Sequence, residues 1–272
     1  MSFIEQINKQ RIKNNSMVCV GLDPFVEKMP IEFQNSKTGI FDFNKAIIDA
    51  TYDVVCSYKP QFAHYAAIGQ LDALKQTIAY IKKTYPEVPV ILDSKRGDIG
   101  TTADMYAKEA FEQYNADAVT VNPYMGDDTI LPFTAYKDKG VVILCRTSNP
   151  GAGVIQNIKS DGKTLFEIIA ERASTVWNEN NNVMLVVGAT APEEMARIRS
   201  LVGNMEFLVP GLGAQGGDVQ AVMDAGLNAD NSGLVINSSR GVLYASNQLS
   251  DFAQKARLEA IALRDQANQY KK

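Results

Sequence analysis

The sequence predicts an α/β fold, a (β/α)8 TIM barrel formed by a single domain spanning residues 1–272, and three observations predict it. Eight short apolar runs of strand length recur along the chain, each suited to a strand buried on both faces. Segments with helical spacing lie between them, and strand–helix alternation of that regularity implies a parallel sheet. The length of 272 residues suits one closed barrel, which usually runs to about 250 residues.

Residues 1–14 open the chain with a helical pattern centred on 3–11, placed to close the barrel floor. The eight runs follow at 17–21, 54–59, 89–93, 118–122, 141–145, 183–188, 207–210 and 233–237. Ile68, Leu71, Leu74, Ile78 and Ile81 recur at three- and four-residue steps after the second run, as do Leu165, Ile169, Ala173 and Val176 before the sixth; both patterns predict amphipathic helices. Thr190, Pro192, Glu193 and Glu194 read as a helix start, with a capping hydroxyl, an early proline and acids in the first turn. Residues 251–270 are the last outer helix, ahead of a tail, 271–272, expected to fray. The stretches 23–40 and 149–163 exceed what a minimal barrel needs.

Composition narrows the function classes. With 27 basic against 31 acidic residues and a net charge of −4, there is no positive field to hold nucleic acid or an anionic membrane. No run approaches the roughly 18 apolar residues of a membrane span, and the opening residues have no signal-peptide pattern, so a cytoplasmic protein is expected. Cys19, Cys56 and Cys145 each lie inside an apolar run and read as buried reduced thiols. His64 is the single histidine, which makes a histidine-centred triad or a multi-histidine metal site a poor fit.

Active sites of such barrels sit at the carboxyl ends of the strands, so the polar residues that end each run are the candidates. They are Asp23, Lys59, Asp93 with Lys95, Asn122, Ser148, Gln215 and Arg240. The third run is the richest. In an extended chain Asp93 and Lys95 project to one side, and Gly97 then permits a turn that returns Asp98 toward them.

Asp93, Lys95, Asp98, Ile99 and Thr102, spaced as Asp-x-Lys-x-x-Asp-Ile-x-x-Thr, resemble the signature of the orotidine 5′-phosphate decarboxylase family. Lys59, Ser148, Pro210 with Gln215, and Arg240 with Gly241 resemble the family's other blocks in the same order, from about residue 18 to 241. The resemblance implies decarboxylation of orotidine 5′-phosphate to uridine 5′-monophosphate with no cofactor and no metal. It also implies roles. Lys95 would protonate a ring carbanion beside Asp93, with Lys59 and Asp98 completing a charged array. Asp23, Lys59 and Thr102 would meet ribose hydroxyls, and Ser148 the pyrimidine. Asp98, Ile99 and Thr102 would reach into the partner's site of a homodimer.

Barrel enzymes often hold phosphate with the loops after the seventh and eighth strands. Those loops carry Gly211, Gly213, Gly216, Gly217 and Gly241, with Gln215 and Arg240 as side-chain donors. Gly211, Gly213 and Gly216 also fit a dinucleotide fingerprint, which admits an NADP-binding oxidoreductase but belongs with an open sheet. A magnesium-dependent sugar-phosphate decarboxylase or aldolase shares the Asp-x-Lys-x-x-Asp spacing. A non-catalytic receptor for a phosphate ligand would need the charged array to be purely structural.

Overall fold

A computed structural model of the chain describes residues 1–212 and 217–271. Its barrel strands are β1 (Val18–Leu22), β2 (Ser57–Pro60), β3 (Ile91–Arg96), β4 (Ala118–Val121), β5 (Gly140–Arg146), β6 (Val183–Val187), β7 (Phe207–Val209) and β8 (Leu234–Ser238). All pair in parallel, in the order β2-β1-β8-β7-β6-β5-β4-β3. Bridges between Tyr58 and Val90 and between Gln61 and Asp93 join β2 to β3 and close the ring.

Side-chain alternation sorts each strand into two cores. Val18, Val20 and Leu22 of β1 face the outer helices, with Leu92, Val119, Val141, Leu185, Phe207 and Ile236 among their counterparts. Cys19, Ile91, Ala118, Val142, Met184, Leu208 and Val235 fill the barrel interior. The helix α1 (Phe3–Lys13) starts with a reciprocal cap between Ser2 and Glu5 and sends fully buried Phe3 and Ile7 against that interior cluster. A Cβ on Gly140 would lie 2.2 Å from the Phe3 ring, so the start of β5 has room only for glycine beneath that side chain.

The outer helices are α2 (Gly39–Thr51), α3 (Leu71–Thr84), α4 (Gly100–Lys108), α5 (Asp127–Thr134), α6 (Leu165–Thr175), α7 (Pro192–Val202), α8 (Val219–Gly226) and α9 (Phe252–Asn268). Four details depart from the sequence reading. The second strand begins at Ser57, because the N–H groups of Val54 and Val55 both turn back to the Thr51 carbonyl and finish α2. Ile68 lies ahead of α3, cut off by Gly69 at φ +67°. Thr190 does not cap α7; its hydroxyl donates to the Ser148 carbonyl at 3.2 Å, and Ala191 takes the cap position. Residues 149–163 hold a short helix (Ala152–Gln156) and part of a hairpin, Lys159–Ser160 with Lys163–Thr164. Its turn residues, Asp161 and Gly162, are both left-handed, as a type I′ turn requires.

Candidate active site

One step above the apolar interior, the same alternation points Gly21, Lys59, Asp93, Thr120, Leu144, Val186, Pro210 and Asn237 toward the barrel axis at the carboxyl end. Polar members lie on β8, β2, β3 and β4, with Asp23 just beyond Gly21 on β1, and apolar ones lie on β5, on β6 and just after β7.

Lys59 and Asp93 are both buried. The Lys59 ammonium donates to Asp93 Oδ2 at 3.0 Å and stands 3.9 Å from Asp23 Oδ1, while Lys95 donates to Asp93 Oδ1 at 2.7 Å. Burial alone would lower the Lys59 pKa, but the Asp23 and Asp93 carboxylates outweigh it and hold it above the ordinary lysine value. Burial likewise works to raise Asp93, yet Lys59 and Lys95 keep its carboxyl well below the usual range. This is an alternating array that is ionised throughout its buried part.

Lys95 reaches Asp93 by a different route from the straight strand that sequence spacing suggested. Its φ is +47°, and pairing of β3 with β4 shifts register between Leu92 and Arg96. Thr120 holds this bulge: the Lys95 N–H donates to Thr120 Oγ1 at 2.8 Å, and that hydroxyl donates to Asp93 Oδ1 at 2.8 Å. Next to it, Arg96 forks onto Glu109 with two 2.9 Å bonds and lies between the rings of Phe62 and Tyr106. Gly97 has no left-handed backbone; a Cβ there would sit 3.2 Å from the Asn122 carbonyl, so close approach is its constraint.

A cavity of about 310 Å³ opens over this layer, walled by Asp23, Phe25, Lys59, Gln61, His64, Asp93, Pro210, Asn237, Arg240 and Gly241 among others. Lys59, Asp93, Asp23, Pro210, Arg240 and Gly241 therefore line one cavity. Arg240 is exposed at the β8 end, and its guanidinium makes no ion pair among the described residues. Tyr244 braces the adjoining β1 lip, accepting from the Phe25 N–H at 2.6 Å and donating to the Asp23 carbonyl at 3.0 Å.

Other candidates lie elsewhere. Lys95, Asp98, Ile99, Thr102 and Ser148 are not walls of this cavity, and Lys95 joins it through its ion pair with the wall residue Asp93. The Asp98 carboxylate accepts from the Ile99 N–H at 2.8 Å and forms no ion pair with Lys95, so the turn does not return it to Asp93 within its own chain. Ile99 and Thr102 are exposed at the start of α4. Ser148 packs against Gly188, where a Cβ would come within 2.8 Å of it. Asn122 caps its own loop by accepting from the Tyr124 N–H. Gln215, with Gly213 and Gly216, lies outside the described residues. Sequence reading gave no role to Thr120, Asn237 or Gln61; Thr120 sits inside the fourth apolar run and Asn237 ends the eighth, and a polar residue at interior parity was the available signal in both.

A closed parallel barrel with an ion-paired lysine–aspartate–lysine array at its carboxyl rim defines a (β/α)8-barrel enzyme. Comparison with known families matches residues 16–254 to the orotidine 5′-phosphate decarboxylase / HUMPS family. A protein of Cellvibrio japonicus named orotidine 5′-phosphate decarboxylase is 58% identical over 98% of both chains. Among solved structures, Leishmania donovani OMP decarboxylase is 40% identical with a TM-score of 0.83, over 97% of this chain and all of that one. UMP synthase of the same organism matches at 40% identity and a TM-score of 0.88; this chain spans 56% of its length. The chain belongs to the orotidine 5′-phosphate decarboxylase / HUMPS family.

Proposed function

We propose that this enzyme is a carboxy-lyase of pyrimidine biosynthesis that converts orotidine 5′-phosphate to uridine 5′-monophosphate without a cofactor. The observation that carries the reading is the ion pair of Lys95 with Asp93: the carboxylate is buried while the lysine side chain stays 45% exposed, so an anchored ammonium still faces open space. In the reaction the bond from ring C6 to the carboxylate breaks and its electron pair stays on C6. Carbon dioxide leaves, and a Lys95 N–H proton moves to C6; the resulting amine takes a proton from solvent. Asp93 lies against the departing carboxylate, and Lys59 fixes Asp93 from the neighbouring strand β2. Fixed charges of this kind act where charge develops, with no reorganisation at the moment of reaction.

Asp23 and Lys59 are placed to meet ribose hydroxyls, and Pro210 offers an apolar wall to the ring. Arg240 and Gly241, with Gln215, take the phosphate, a grip whose binding energy offsets the assembly of the charged site. Ser148 bonds the pyrimidine from the loop after β5. Asp98, Ile99 and Thr102 serve the site of a second copy. Their position outside their own cavity supports this, as do the exposed side chains of Ile99, Met105, Tyr124, Met125 and Leu131 on and around the packed pair α4 and α5. No helix among the described residues is long and apolar enough to cross a membrane, and the reading places the enzyme in the cytoplasm.

Lys59 stands between Asp23 and Asp93, where a divalent cation would need to bind. That favours the metal-free reaction over a magnesium-dependent decarboxylase or aldolase. The NADP reading needs an open sheet, and this one closes. Ultraviolet spectra of orotidine 5′-phosphate mixed with purified protein and a strong chelator test the proposal, with conversion to the product spectrum expected. Lys95→Ala lowers turnover by about 10⁴-fold or more with its circular dichroism unchanged; near-normal turnover by that variant would overturn Lys95 as the proton donor.

A further inference from the structure

Strand order sets out the cavity wall in sequence: Asp93 on β3, Lys59 on β2, Asp23 after β1, then Asn237 on β8 and Arg240 after it. With the reacting ring at the β3 end and the phosphate at Arg240, the sugar that joins them crosses β1 and β8. Two buried acceptors wait there. Asp23 Oδ1 and Asn237 Oδ1 are both shielded and have no hydrogen-bond donor among the described residues. Asn237 is only 7% exposed, and its amide nitrogen reaches Ser239 Oγ at 3.4 Å. Across the β1–β8 seam, Gly21 leaves this group room: a Cβ there would fall 3.3 Å from Asn237 Oδ1 and 1.9 Å from Ser239 Oγ.

A buried amide oxygen without a donor calls for an explanation, and a polar side chain at interior parity beside a ligand cavity suggests one. We propose that Asn237 is a substrate-binding residue whose Oδ1 accepts a hydrogen bond from a ribose hydroxyl, beside Asp23. This rests on the substrate reading above, and the two can fail separately. A serine or valine at this place would fill the space, but neither would carry an acceptor as far into the cavity.

The test is steady-state kinetics of the wild-type protein and Asn237→Val on orotidine 5′-phosphate and its 2′-deoxy and 3′-deoxy counterparts. Absence of wild-type turnover on the parent nucleotide would sink the substrate reading itself. Given that turnover, Asn237→Val is expected to raise KM about tenfold with kcat changed little. One deoxy substrate should cost the wild type a similar factor and cost the variant nothing further. Equal losses on all three substrates, or an unchanged KM, would overturn the proposal, because a purely structural role is blind to the hydroxyl. Should Asn237→Val fold poorly, competitive inhibition of Asn237→Ala by uridine 5′-monophosphate and its two deoxy forms reads the same coupling: lost discrimination supports the assignment and retained discrimination refutes it.

Discussion

Lys95 adopts a left-handed backbone that a residue with a side chain rarely takes, at a cost of about 1–3 kcal/mol. Its surroundings impose that conformation: Thr120 takes its N–H, Asp93 takes its ammonium, and Arg96 is locked onto Glu109 beside it. Thr120→Val keeps the shape but leaves the Lys95 N–H unpaired and Asp93 short of one donor. The loss should be about 1–3 kcal/mol of stability, read from the urea midpoint. A fall in kcat/KM of about tenfold or more should accompany it, and Thr120→Ser should restore both. Ionisation of the array sets its own pH limits. The folded Asp93 pKa lies below the unfolded value, so its contribution is complete above about pH 4 and drains away as pH falls toward the folded value. Lys59 is raised, so its contribution is complete below about pH 10 and fades as pH climbs through the folded value. Wild-type urea midpoints should therefore drop on acidification below about pH 4 more steeply than those of Asp93→Asn, which is weaker at neutral pH but has no carboxylate there to protonate.

At the level of elements, strand parity did most of the specifying. The eight apolar runs were legible because both faces of each strand are buried, and Asp23, Lys59, Asp93 and Arg240 were legible because they end or follow such runs. Thr120 was hidden by the same rule, since a polar residue inside an apolar run reads as part of the strand until its parity is known, whereas Asn237 ends the eighth run and was passed over for Arg240 beyond it. Boundaries slipped where backbone chemistry overrode hydrophobicity: Val54 and Val55 are apolar, yet their N–H groups close a helix. The Asp161-Gly162 pair turns the hairpin in the long fifth loop, which the sequence reading took only as surplus length, and nothing in a linear pattern announces a left-handed lysine. The floor is the element most open to direct test. Gly140→Ala drives a methyl into the Phe3 ring and should cost about 1–3 kcal/mol in thermal or urea unfolding. Phe3→Leu, which removes the clashing ring edge, should recover part of that loss in the double variant even though it weakens the protein alone.

For the whole molecule, the two halves of the rim divide the work: ionised and polar residues on β8 and β1 to β4, apolar ones on β5 to β7. A nucleotide can lay its charged and hydroxylated side on the first and its ring face against the second. The assembly that results is asymmetric about the cavity, because Asp98 and Thr102 follow β3 in sequence yet stand outside the wall that β3 builds. If they complete the site of a second copy, each active site takes Lys95 from one chain and Asp98 from the other. Lys95→Ala and Asp98→Ala homodimers would then both be inactive, but a mixed dimer would hold one site with both lesions and one with neither. Dissociating and re-forming an equimolar mixture makes half of the dimers mixed, so about a quarter of wild-type turnover should return. If instead Asp98 served its own chain, every mixed dimer would carry one lesion in each site and the mixture would stay as inactive as its parents.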